Sequence, residues 1–263
     1  MASEPQSPPA QPLLPPRLAG GMALIAAAHA LLLGWALAAP GTLPMAGMTP
    51  VRVVPYLMCA LASAIAALAA PLLLGEDNAV PGAVRLGRAA FAALWQGAVA
   101  GFFLMIAARL TPLSPAGIAR AAGWLAVVAF TCLLLAGLAR RAYAGLSFFW
   151  LFAMPVCGYL WAEIFLITPV GNSGWTQSTG PQASAMRAFV HGVLSISPAT
   201  GATGALTGVL FDGSEYALGW PLASLALVSV ILSWRTLRAG KENREVNSAL
   251  GSVGNVDGIP RAN

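Results

Sequence analysis

The sequence predicts an all-α, polytopic membrane protein with six transmembrane helices and a helical hairpin in the outer connection before the last of them. Three observations carry this. Apolar residues fill 58% of the 263 positions and charged residues only 9%, whereas a water-facing domain carries about a quarter charged residues. The mean hydropathy is +0.74. The apolar residues also gather into six runs, each close to the roughly 20 residues that cross a bilayer as a helix.

Along the chain, residues 1–16 contain six prolines and a single charge. Proline fixes φ and removes a donor, so this segment reads as a disordered, extended tail. A six-span membrane domain follows over 17–238, with spans at about 18–39, 53–74, 89–108, 121–139, 146–168 and 217–234. Pro55, Pro71 and Pro155 bend or end helices within it. The polar stretch 239–263, with its scattered Gly and Asn, reads as a second disordered tail. Ala36-Leu37-Ala38 imitates a signal-peptidase site, but the run before it is longer than the roughly 7–15 residues of a signal h-region, so it is read as a span.

Arg and Lys set the orientation. With the N-terminus inside, the inner segments hold ten of the fourteen (Arg17, Arg85, Arg88, Arg140, Arg141, Arg235, Arg238, Lys241, Arg244 and Arg261). The outer segments hold Arg52, Arg109, Arg120 and Arg187. Basic residues accumulate on the cytoplasmic side, so both termini are expected there, in a cell (inner) membrane. The net charge of +5 therefore reports topology and gives no reason to expect nucleic acid.

The connection at 169–216 is the long one. Met186, Phe189, Val190, Val193 and Leu194 recur on one helical face. Ser197-Pro198 then reads as an N-cap followed by proline at the first helical position. The small residues that follow lead to a turn at Asp212-Gly213. A helix, a Ser-Pro break and a second short helix predict a hairpin dipping into the outer leaflet. Backbone broken at that depth must pack against other spans or line a cavity. Gly204 and Gly208 form a small-xxx-small pair that lets helices approach closely.

Catalytic signatures are missing from the sequence. There is no Walker lysine, no His-Glu-x-x-His and no nucleophile elbow. Cys59, Cys132 and Cys157 are isolated in apolar runs and lack metal-ligand spacing. The chain is accordingly expected not to be an enzyme and to carry no metal or cofactor. Three polar residues inside the spans are candidates for a substrate pathway. His29 falls near the midplane of the first span. Glu163 lies on the outer third of the fifth, roughly 9 Å further out than His29 at 1.5 Å per residue, too far for a direct pair. Gln96 sits in the inner half of the third, where a carboxamide can also bond between helices. Ionisable groups at such depth are costly and mark pathways.

This layout resembles the permease subunit of type-2 ABC exporters. The resemblance rests on six spans, cytoplasmic ends and the long outer connection carrying Ser197 to Leu206 (SPATGATGAL). Leu86-Gly87-Arg88 at the entry to the third span is similar to the family's Leu-Gly-Lys there. The chain departs from the family in its Pro-rich N-terminal tail and in a shortened Gly75-Glu76-Asp77-Asn78 after the second span. The resemblance implies a homo- or heterodimer of permeases with separate ATP-binding subunits. These would dock on the cytoplasmic turn 76–88 through Glu76, Asp77, Arg85 and Arg88. The alternative expectation is a non-transporting anchor or assembly subunit of a larger membrane complex, which needs no polar pathway.

Overall fold

The structure, a computed structural model, describes residues 16–38, 50–74, 81–153, 192–209 and 215–253. Among these residues it is all-helical, apart from an isolated β-bridge pairing Val209 with Glu215. The helices are α1 (Pro16–Ala38), α2 (Pro50–Leu74), α3 (Gly82–Ala107), α4 (Pro115–Leu138), α5 (Tyr143–Phe148), α6 (Pro198–Thr207) and α7 (Gly219–Val253). A π-helical segment, Phe149–Ala153, continues α5 directly.

Five stretches are long and apolar enough to cross a membrane: Leu18–Ala38, Val53–Leu73, Gly82–Ala107, Pro115–Leu138 and Gly219–Lys241. They correspond to the first four expected spans and the last, and they make the chain a multi-pass membrane protein. The expected span at 146–168 is entered by α5 and the π segment, and its remainder lies outside the described residues. The outer surface agrees with a lipid environment. Leu31 and Leu72 are each 74% exposed and Leu24 is 70% exposed, an arrangement that water would penalise over so many side chains.

Helix α4 is the central element, packed against α2, α3, α6 and α7, while α1 lies on α2 and α3. Its Trp124, Val128, Ala129 and Leu133 are fully buried. Small residues set the spacing between the helices. At Gly97 of α3, an added Cβ would lie 2.7 Å from the Ala122 carbonyl oxygen of α4, so the two backbones run close together. Lipid tails are as apolar as Leu, so close packing and interhelical hydrogen bonds hold such bundles together. One such bond joins Thr131 of α4 to Ser229 of α7, their hydroxyl oxygens 2.9 Å apart. On the far side of the bundle, the Tyr143 hydroxyl donates to the Ala67 carbonyl of α2 at 2.6 Å.

Three boundaries depart from expectation. The third helix begins at Gly82 rather than 89, so Arg85 and Arg88 stand on its first two turns and not in a turn ending at 88. Pro55 and Pro71 lie inside α2, which continues past both. The last helix runs on to Val253, well beyond Ala239, where a disordered tail was expected. The stretch KENREVNSAL is polar, but most of its residues are good helix formers. Hydropathy marks where the apolar run stops, not where the helix stops.

Candidate functional site

The most specific constellation lies around a helix break at Ser197. A helical turn over 192–196 ends there, and α6 starts at once with Pro198 at its first position. Proline suits that position because its missing N–H would find no intrahelical acceptor. Ser197 adopts extended backbone, φ −65° and ψ 134°. Its hydroxyl does not cap the helix as the sequence suggested. Instead Oγ is buried without a partner among the described residues.

Each carbonyl through the break is met by a donor. The Leu194 carbonyl accepts from the Ser197 N–H at 3.2 Å and from the Thr200 hydroxyl. That of Ser195 accepts from the Tyr216 hydroxyl at 3.2 Å. The Ile196 carbonyl takes the indole N–H of Trp150, in the π segment, at 3.0 Å. Ser197 is served by the Gly201 N–H at 2.8 Å, and Pro198 by the indole N–H of Trp124 on α4 at 3.0 Å. Without water to serve them, such groups would each cost about 1–3 kcal/mol if left bare.

From the break, α6 climbs along α4 in the opposite direction. Pro198 sits beside Trp124, and Ala205 beside Arg120, whose Nε donates to the Ala205 carbonyl at 3.1 Å. A cation at the C-terminal end of a helix faces the negative end of its dipole. Gly117 completes the contact: a Cβ there would collide with the Leu206 carbonyl oxygen, and one at Gly201 would collide with the Trp124 ring. Helix α6 ends at Gly208, whose φ of +80° returns its N–H to the Gly204 carbonyl. Trp124 stands about 14 Å along α4 from Pro115 at 1.5 Å per residue, which places the break well inside the span.

The other side of α6 borders a cleft of about 370 Å³, lined by Thr200, Thr203, Thr207, Gly204 and Val209 together with Tyr56 of α2. Thr200 and Thr207 are already engaged, the latter lying 2.9 Å from the Thr203 carbonyl oxygen. The described lining offers hydroxyls and methyls and no charge, which suits an uncharged or amphiphilic group. Among the described residues, no three of His, Cys, Asp and Glu come together to hold a metal.

Of the expected pathway residues, His29 and Gln96 are not in the described lining of this cleft. The His29 ring, 1% exposed, stacks on Phe103 with centroids 5.7 Å apart. Its Nδ1 lies 2.9 Å from the Ile25 carbonyl oxygen one turn back in α1. A carbonyl only accepts, so Nδ1 carries the proton, and Nε2 is left buried without a partner among the described residues. Gln96 is buried with neither end of its carboxamide paired among the described residues, so it bonds to no described neighbouring helix. Glu163, Glu76 and Asp77 lie outside the described residues. Arg85 and Arg88 are half-buried at the start of α3.

Sequence reasoning missed Arg120, Trp124, Trp150 and Tyr216. A signal existed for two of them: Gly117, Arg120 and Trp124 recur at i, i+3 and i+7, one helical face. Compared with known proteins, the chain matches no family model, no curated protein and no solved structure.

Proposed function

We propose that this chain is the permease-like subunit of an ABC-type transporter, working with a separate ATPase in the inner membrane with both termini cytoplasmic. In this reading the fifth span completes six, and the turn at 192–196 with α6 forms the return half of a re-entrant hairpin. The observation that carries it is the helix break at Ser197, held at membrane depth beside the cleft under Tyr56. Irregular backbone at that depth is tolerated where it packs against protein or lines a cavity; here it packs against α4, the π segment and Tyr216, and the helix that follows it lines the cleft. The excess of Arg and Lys on one side supports the orientation.

A second reading, an anchor or assembly subunit, draws support from one observation: the carbonyls of Ser195, Ile196 and Pro198 are each already engaged by a side chain from elsewhere in the bundle. Purification from the native membrane in mild detergent, with bound chains identified by mass spectrometry, separates the two. The transporter reading expects a Walker-motif ATPase that Arg85→Glu releases while the amount of this chain in the membrane stays unchanged. Absence of an ATPase, or its retention by the variant, would remove the transporter reading.

A further inference from the structure

At the end of the bundle opposite the Ser197 cleft's mouth, α3 and α7 meet over a pair of glycines. A Cβ on Gly240 would lie 2.8 Å from the Gly82 nitrogen, and one on Gly82 would lie 2.8 Å from the Thr236 carbonyl oxygen. The two backbones touch there, and beside the contact opens a pocket of about 500 Å³. Its floor is apolar, from Pro81, Ala83 and Leu237, and its rim carries Trp234, Arg238 and Lys241. Residues 234, 237, 238 and 241 fall at i, i+3, i+4 and i+7, one face of α7.

The geometry points to this pocket as a binding site for the phosphate-bearing headgroup of an anionic phospholipid, in the leaflet at the C-terminal end of the α7 span. Three independent features agree on that occupant. The pocket lies where the apolar stretch Gly219–Lys241 ends, at the depth where phosphates stand in a bilayer. Its described lining carries two cations, Arg238 and Lys241, both exposed, and no carboxylate. Trp234 is placed as an interfacial anchor, and the Arg238 guanidinium sits 5.8 Å from its ring centroid, a contact that holds the cation over the pocket. The apolar floor then receives the glycerol and the first acyl carbons. Basic pockets between spans recognise such headgroups. The site needs only that α7 crosses a bilayer, and it stands whether or not the chain transports anything.

The test uses the purified full-length chain in a neutral detergent, with lipid retention read by native mass spectrometry. Phosphatidylglycerol should be retained in preference to phosphatidylcholine of the same chain length. Arg238→Gln with Lys241→Gln should abolish that preference, at about fivefold in affinity for each charge removed. Lys241→Gln alone, a change on an exposed helix surface, should show the single step even if the double variant accumulates poorly. Arg141→Gln, outside the pocket, should leave the preference intact. Undiminished preference in Lys241→Gln, or no preference in the native chain, would overturn the site. Displacement of the lipid by an equal concentration of glycerol 3-phosphate would show a free-anion site and overturn the lipid assignment.

Discussion

The indole of Trp124 donates to the carbonyl of Pro198 at 3.0 Å, across 74 positions of sequence. It is the bond that fixes the first turn of α6 to the central helix. Trp124→Phe removes the donor and keeps most of the ring. The change should cost about 1–2 kcal/mol, read as a lowered thermal midpoint in detergent. Trp124→Ala adds a cavity and should cost more, about 3–5 kcal/mol. Equal midpoints for the native chain and the Phe variant would show that the bond contributes nothing.

The contact between α4 and α6 depends on missing side chains. Gly117→Ala sets a methyl group against the Leu206 carbonyl, and Gly201→Ala sets one against the Trp124 ring. Each should destabilise by about 1–3 kcal/mol, the range for overpacking. Gly123, one residue before Trp124, has nothing within 4 Å of where a methyl group would stand, so Gly123→Ala should be neutral or slightly stabilising. Thermal midpoints for the three variants decide the matter, and a uniform response would argue against close packing at this interface.

Tyr216 supplies a pH dependence. Burial pushes its phenol above the usual tyrosine range, because the phenolate would lose its hydration. A group whose folded value is raised gives its full stability below the unfolded value, about pH 10, and loses it as pH climbs towards the folded value. Cleavage of the connection before α7 by protease added to the detergent-solubilised chain should therefore be constant through neutral pH and rise above about pH 10. Tyr216→Phe removes the donor to Ser195, so it should raise cleavage already at neutral pH and flatten the alkaline rise. A steep alkaline rise retained in Tyr216→Phe would assign the effect to another group.

Much of this architecture was legible in the sequence. Each long apolar run carries a signal that needs no knowledge of its neighbours, so the first four spans were placed within a few residues at their C-terminal ends. Pro198 signals the start of α6 for a local reason, since a first-turn position loses no intrahelical bond to a missing N–H. What stayed hidden depends on contacts between distant segments. Trp150 and Tyr216 look like ordinary aromatic residues in or beside apolar runs, and nothing in their spacing shows that a broken helix needs them as donors. Ser197 misled in a related way. Its type and position fit an N-cap, yet the N–H groups of the first turn do not meet its hydroxyl. His29 reads from the sequence as a residue at depth, and it is buried, but its bond turns back to Ile25 within its own helix, a choice that sequence spacing permits and does not announce.

The donors around Ser197 also tie the break to the integrity of the whole chain. Its carbonyls are met from α4, from the π segment and from the residue just ahead of α7, across 74, 46 and 21 positions of sequence. A chain truncated before residue 216 keeps the first two donors and lacks the third, which leaves the Ser195 carbonyl bare at a cost of about 1–3 kcal/mol. Shortening the chain at one end is therefore felt at a break that most of the bundle has already formed around.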